Sequence, residues 1–172
     1  EEMLYDLPYD LIDRLELYFL PSKEAMEFLN RVSIPVYMSL PYETFEGYEE
    51  IKDFFDGVVV QNLGQIEGAE GDIVFGEGIN IFNSYSFRHF AEKGSVMPSF
   101  ECRREQLQKM TQRFGTCGEV LYYGFPRSMT MRHCPMSLVK GCGDDRDCPS
   151  CNLRRGFYLR DEKNVAFPFR RV

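Results

Sequence analysis

The sequence predicts an α/β fold in which repeated strand–helix units build a parallel sheet. Three observations predict it: Gly57–Gln61 (GVVVQ) is β-branched without polar alternation, the strand-like segments are short, and helix-like segments lie between them. Parallel strands need a crossover connection, so this alternation favours a parallel sheet covered by helices. About four or five strands are expected, which fits the C-terminal half of a TIM-barrel-like fold rather than a complete barrel.

The elements alternate along the first 126 residues. Strands are predicted over 34–40, 57–61, 72–75, 95–99 and 119–125, and helices over 21–30, 48–55, 84–93 and 101–114. Ser22 is the expected cap of the first helix. In the last helix, Leu107, Met110 and Phe114 follow the i, i+3, i+7 spacing of an apolar face. An open half-barrel leaves unpaired edges, so we expect a missing N-terminal half or a homodimer partner.

Composition narrows the class of protein. The chain has 172 residues, is 44% hydrophobic and carries a net charge of −7, which predicts one globular domain and argues against general adhesion to nucleic acid. No segment approaches the roughly 18 apolar residues of a membrane helix, and no basic leader precedes an apolar run. We therefore expect a cytoplasmic protein without membrane contact. Because the sequence begins with Glu, we interpret it as a fragment of a longer chain.

Residues 127–172 form a Cys-rich loop and tail in this interpretation. Four cysteines fall there with the spacing C-x7-C-x5-C-x2-C: Cys134, Cys142, Cys148 and Cys151. Thiolates at glycine- and proline-rich turns converge readily on one centre, so the spacing predicts a metal site. Zinc and a [4Fe–4S] cluster both suit four thiolates, and the spacing does not separate them. Unligated thiols and disulfides are the alternatives.

Other candidate residues follow predicted strands, at the end of the sheet where barrels carry their chemistry. Glu101 is either a general acid–base group or a charge in the first helical turn. Asn83 either binds substrate or caps a helix. His133 is a candidate ligand or proton-transfer group. Basic residues of the last third, among them Arg127 and Arg132, either bind an anionic substrate or form a solvated surface.

A set of ordered motifs runs from about residue 34 to the end. It comprises the runs 80–84 (NIFNS), 99–101 (SFE) and 123–134 (YGFPRSMTMRHC), then CPM, a Gly–Cys loop and the tail 157–168 ending in Phe-Pro. Together these motifs resemble peptidase family U-32, the collagenase-like proteases. The resemblance implies a barrel-like fold, of which this chain is the C-terminal portion. Relatives of this kind include iron–sulfur proteins with four cysteine ligands, which the four local cysteines match.

Three functions follow from these observations. The leading one is a peptidase, a hydrolase with Glu101 and His133 as catalytic residues and Asn83, Arg127 and Arg132 as substrate-binding residues. The second is an iron–sulfur protein that supports hydroxylation of ribosomal or transfer RNA or of a quinone ring. The third is a non-catalytic assembly or binding module. The expected substrate is thus a peptide or an RNA, and the sequence alone does not choose between them.

Overall fold

The structure is a computed structural model that describes residues 1–42, 52–114, 118–124, 126, 129, 134–142, 151 and 157–169. The chain divides into two compact units, Glu1–Pro126 and Arg127–Val172. The first unit contains the sheet and the helices that flank it. The second contains the described part of the Cys-rich segment and a hairpin.

Five parallel strands make up the sheet of the first unit. They are β1 (Leu15–Leu17), β2 (Val36–Ser39), β3 (Gly57–Val60), β4 (Asp72–Phe75) and β5 (Ser95–Val96). Each strand pairs with the next one in the sequence, so the order is β1-β2-β3-β4-β5. This confirms the predicted α/β class and the parallel sheet. Sequential order means that every crossover moves in the same direction across the sheet, without a reversal among these strands.

Four α-helices are described, namely α1 (Lys23–Leu29), α2 (Ser84–Ala91), α3 (Arg104–Phe114) and α4 (Pro135–Lys140). Short 3-10 helices span Glu2–Asp6, Tyr9–Leu11, Lys52–Phe54, Leu63–Gln65 and Glu77–Ile79. The hydroxyl of Ser22 accepts a hydrogen bond from the Ala25 amide at 3.2 Å, which confirms Ser22 as the cap of α1. Among the described residues, no helix is both long and apolar enough to cross a membrane.

The core lies between one face of the sheet and the helices. Strand residues on this face alternate with those on the other because side chains point to opposite sides of a strand. The buried residues of this cluster include Leu17, Met38, Val58, Val60, Phe75 and Val96 from strands and Ala25, Leu29, Phe87 and Met110 from helices. Tyr37, Val59 and Val74 form a separate buried cluster on the opposite face. All four residues of β3 are buried, which confirms a strand covered on both sides.

The predicted strand 119–125 was wrong over its described part. Gly118 forms a single parallel bridge with Val96, and the Glu119 amide donates to the Val96 carbonyl at 2.8 Å. The chain then leaves the sheet, and Val120 and Tyr122 are exposed. Strand propensity does not create a strand without a neighbour to pair with. Phe125 and residues 48–51 of the predicted second helix lie outside the described residues, and 52–54 form only a 3-10 turn.

The second unit contains regular structure where a loop and tail were expected. Helix α4 ends at Lys140 and is followed by Gly141, whose φ of 65° is easily adopted by glycine. Strands β6 (Phe157–Arg160) and β7 (Ala166–Phe169) pair as an antiparallel hairpin. The rings of Phe157 and Phe169 stack with centroids 4.5 Å apart. The hairpin turn is held by Asp161, whose carboxylate accepts hydrogen bonds from two backbone amides of the turn.

Candidate functional site

A network of polar side chains lies where β2, β3 and β4 end. It consists of Ser39, Tyr42, Gln61, Gln65 and Glu77, which we call the carboxyl-edge cluster. The carboxyl ends of parallel strands meet at one edge of a sheet, and ligand sites of parallel α/β folds are built there. None of these five residues was singled out from the sequence.

Gln61 is the centre of the carboxyl-edge cluster. The residue is only 2% exposed, so its amide needs partners inside the protein. Its Nε2 donates to the Ser39 hydroxyl at 3.0 Å and to the Glu77 carboxylate at 3.2 Å. Its Oε1 accepts from the Gly78 amide at 3.0 Å. One buried side chain therefore ties the end of β2 and the loop after β4 to the end of β3.

The Glu77 carboxylate is held by two donors. Oε2 accepts from Gln61 Nε2, and Oε1 accepts from the Tyr42 hydroxyl at 3.1 Å. The residue is half-buried, so part of the side chain still meets solvent. Both oxygens are oriented by groups from neighbouring loops. A carboxylate that is fixed in direction on a half-buried residue has the properties of a candidate acid–base or ligand-binding group.

Two glycines make this packing possible. A Cβ atom on Gly76 would come within 2.7 Å of Nε2 of the Gln61 side chain. A Cβ atom on Gly78 would come within 2.2 Å of the Gln61 carbonyl oxygen and 2.3 Å of the Tyr42 ring. The Gly-Glu-Gly run is the sequence signal that could have indicated this site, because a glycine on each side of Glu77 lets the loop approach Gln61 closely.

Gln65 joins the loops that follow β2 and β3. Its Oε1 accepts from the backbone amides of Gln61 at 2.7 Å and Asn62 at 3.2 Å. Its Nε2 donates to the Pro41 carbonyl at 2.6 Å. Asn62 adds a bond from Nδ2 to the Tyr42 carbonyl at 2.9 Å. The backbone that carries Tyr42 and Gln61 is thus held from both sides.

Asn83 is a helix cap in the structure. Its Oδ1 accepts from the backbone amides of Tyr85 and Ser86, both at 3.0 Å, at the start of α2. Of the two interpretations of Asn83, the structure thus displays capping. The side chain is exposed, and its oxygen is already engaged with the backbone.

Glu101 lies in the turn between β5 and α3. Its backbone amide donates to the Ser99 hydroxyl at 3.4 Å, and the residue is exposed. Helix α3 begins at Arg104, so Glu101 precedes the helix and is not a charge of its first turn. Neighbouring Cys102 donates from Sγ to the Ile81 carbonyl at 3.6 Å, and burial raises the pKa of this thiol.

Three of the four predicted cysteine ligands are described, and all three are free thiols. Cys134 and Cys142 bracket α4 and are exposed, whereas Cys151 is half-buried. The described residues contain no group of three or more side chains gathered for a metal ion. The chemistry of the donor set suits zinc or an iron–sulfur cluster, because exposed thiols near tight turns are free to bind as thiolates. Cys148, His133, Arg127 and Arg132 lie outside the described residues.

A second group of polar residues lies near the amino ends of β1 to β4, together with Glu119, which follows the bridge to the last residue of β5. It consists of Arg14, Glu16, Tyr37, Asp72 and Glu119, which we call the amino-edge layer. Arg14 hydrogen-bonds to both Glu16 and Glu119. Burial raises the pKa of Glu16, and the pairing with Arg14 opposes this rise. Burial is the main reason that the pKa of the Tyr37 hydroxyl is raised, and the hydrogen bond to Asp72 raises it further.

An open depression of about 550 Å³ is lined by Asp13, Arg14, Glu16 and Glu119. Its volume is sufficient for a small ligand. The charged groups of Arg14, Glu16 and Glu119 are already paired with one another, however, whereas the Glu77 carboxylate is held by neutral donors. We therefore assign the candidate site to the carboxyl-edge cluster and a structural role to the amino-edge layer.

Comparisons with protein-family models, with curated proteins and with solved structures gave no match to this chain. What the carboxyl edge does is therefore inferred from its own residues.

Proposed function

We propose that this chain is part of a U-32-type peptidase that binds a peptide along the carboxyl edge of its sheet. The observation that carries the proposal is the Glu77 carboxylate, which is oriented by Gln61 and Tyr42 and belongs to a half-buried residue. The motif resemblance supports the same function. The sequential order of the five parallel strands supports a sheet that is one portion of a barrel.

The charge of this edge favours a peptide over an RNA. Glu77 and Glu101 are the acidic side chains that follow β4 and β5, and the chain as a whole carries −7. Carboxylates repel phosphates, and nucleic-acid affinity depends on neutralising phosphates with Lys and Arg. A neutral or basic peptide has no such conflict. The hydroxyl, amide and carboxylate groups of the carboxyl-edge cluster are also the partners that a peptide backbone needs.

In the proposed reaction, Glu77 takes a proton from a water molecule while the oxygen of that water attacks the peptide carbonyl carbon. The carbon–nitrogen bond then breaks, and the amine leaves with a proton. Gln61 and Tyr42 keep the carboxylate aimed at the water. Glu101, exposed in the turn after β5, is the candidate donor of the proton to the leaving amine. His133 is the other candidate for this proton transfer.

The Cys-rich segment would hold a metal centre. Cys134, Cys142, Cys148 and Cys151 are the proposed ligands of zinc or a [4Fe–4S] cluster, since each site takes four thiolates. When bound, zinc would fold this segment, and a cluster would add electron transfer. The remainder of the barrel would come from a partner half or a second copy of the chain.

Hydrolysis of a fluorogenic peptide library by the intact protein tests the peptidase proposal. Glu77→Gln keeps the shape of the side chain and removes its basicity, so we expect turnover to fall roughly 100-fold or more. Glu67→Gln, an exposed glutamate in the loop after β3, is the matched control and should keep full activity. Equal turnover in wild type and Glu77→Gln would contradict the proposed base.

The free thiols favour one second candidate, an iron–sulfur protein that supports RNA or quinone-ring hydroxylation. Metal analysis and an absorption spectrum of anaerobically purified protein separate the two. Iron, sulfide and a band near ~400 nm that disappears in Cys134→Ser would support the second candidate. Colourless protein with one zinc would support the peptidase. Cys102→Ser is the control, because Cys102 bonds the Ile81 carbonyl within the first unit.

A further inference from the structure

Arg14 joins two margins of the sheet that are far apart in strand order. Arg14 immediately precedes β1, and Glu119 immediately follows Gly118, which is bridged to β5. Arg14 nevertheless hydrogen-bonds to Glu119. Five strand spacings of about 4.8 Å separate these margins, which amounts to about 24 Å in a flat sheet. An arginine and a glutamate in hydrogen-bond contact have Cα atoms at most roughly 13 Å apart.

The sheet is therefore bent strongly enough to halve the distance between its margins. Other members of the amino-edge layer lie along the same row of the sheet, because Glu16, Tyr37, Gly57 and Asp72 are paired in register from β1 to β4. The Tyr37 hydroxyl donates to the Asp72 carboxylate at 3.1 Å. Tyr37 thus reaches over β3 to β4.

Gly57 leaves the space that this reach requires. A Cβ atom at Gly57 would lie 2.6 Å from the Tyr37 ring and 2.5 Å from the Asp72 carbonyl oxygen. The Arg14 guanidinium lies over the same tyrosine ring, with its carbon 4.8 Å from the ring centroid. Arg14 consequently contacts groups from β1, β2 and the segment after β5.

We propose that Arg14 is an ionic tie that holds the two margins of the sheet together and sets its curvature. The side chains of Arg14, Glu16 and Glu119 are 22%, 17% and 31% exposed, so water screens this pairing only in part. The Arg14 Nε atom is buried and has no hydrogen-bond partner among the described residues, and the arginine keeps this position through the hydrogen bonds of Nη2 and the Tyr37 ring.

Distance measurements between two spin labels test the tie. Labels at Leu20, after β1, and at Tyr122, after Gly118, report on the two margins, and both side chains are exposed. They are introduced as noncanonical amino acids because the chain has six cysteines. In Arg14→Met we expect the mean distance to lengthen by about one strand spacing, 5 Å. Arg88→Met removes an exposed ion pair of α2 and should leave the distance unchanged.

A charge exchange makes the test specific for an ionic tie. The double variant Arg14→Glu/Glu119→Arg places the arginine on the other margin, where it still reaches Glu16 of β1 and the carboxylate introduced just before that strand, so the short distance should return. If Arg14→Met does not fold, Glu119→Met removes the same pair from the other side. An unchanged distance in the folded neutral variant, or no return in the exchange variant, would overturn the proposal.

Discussion

The two polar groups of the sheet stabilise their residues in different ways. In the amino-edge layer, Arg14 is paired with two glutamates over an aromatic ring. At the carboxyl edge, the neutral donors Gln61 and Tyr42 hold one carboxylate. Ion pairs that are largely removed from water fix a geometry and tolerate little change. Neutral donors leave the charge of the carboxylate uncompensated, and an uncompensated, oriented charge is available for a substrate.

Close backbone approach matters at both edges, and it gives the largest expected effect. Gly57→Ala at the amino edge and Gly78→Ala at the carboxyl edge each place a Cβ atom within 2.5 Å of a backbone oxygen. We expect each to lower the free energy of unfolding by about 3 kcal/mol, because backbone must move to relieve the contact. Urea unfolding followed by circular dichroism measures this, since the chain has no tryptophan.

Gly68→Ala is the matched control for both glycine variants. No atom lies within 4 Å of the position that its Cβ would occupy, so the unfolding midpoint should stay close to that of the wild type. If Gly57→Ala alone is destabilising, the carboxyl edge is the more adaptable of the two. Wild-type stability in both glycine variants would contradict the close packing at both edges.

Most of the first unit was predictable because its elements have local signals. The β-branched run of β3 and the Ser22 cap of α1 each indicate the local structure from a few neighbouring residues. Strand β1 was missed because Leu-Glu-Leu is short, and its pairing with β2 is set by distant residues. Gln61 was missed for a related reason: a glutamine after a strand is ordinary until two other loops bury it.

The buried amide of Gln61 gives the second-largest effect. Gln61→Leu fills a similar volume but leaves Ser39, Glu77 and the Gly78 amide without their partner. We expect a loss of about 2 kcal/mol in unfolding free energy, because unsatisfied buried polar groups are costly. Gln65→Leu, in the same cluster but half-buried, should cost less. Equal losses in the two variants would show that Gln61 is not the centre of the cluster.

The cap at Asn83 gives a smaller effect and separates its two interpretations. Asn83→Ala removes the acceptor of two backbone amides of α2, and the expected cost is about 1 kcal/mol. Asn83→Asp retains an acceptor oxygen and should preserve stability. If peptide turnover falls in Asn83→Asp while stability is kept, Asn83 also contacts substrate. Unchanged turnover at full stability would leave it with capping alone.

Glu16 gives the smallest effect and the one that depends on pH. Burial raises the pKa of its carboxyl group above the ordinary value of 4.5. The nearby carboxylates of Glu119 and Glu77 also raise this pKa, whereas Arg14 lowers it. The folded state thus binds this proton more tightly than the unfolded state. Stability from this group is therefore complete below pH 4.5 and is lost as the pH rises through the raised pKa.

Glu16→Gln removes this titration and keeps an acceptor for Arg14. Its unfolding free energy relative to the wild type should therefore increase as the pH is raised from 4 to 7, measured by urea unfolding at each pH. The opposite slope would mean that Arg14 dominates and lowers the pKa of Glu16. Glu119→Gln is the comparison at the other margin of the sheet. If only Glu16→Gln changes the dependence of stability on pH, the cost of burial belongs to Glu16 in β1, which is less exposed than Glu119.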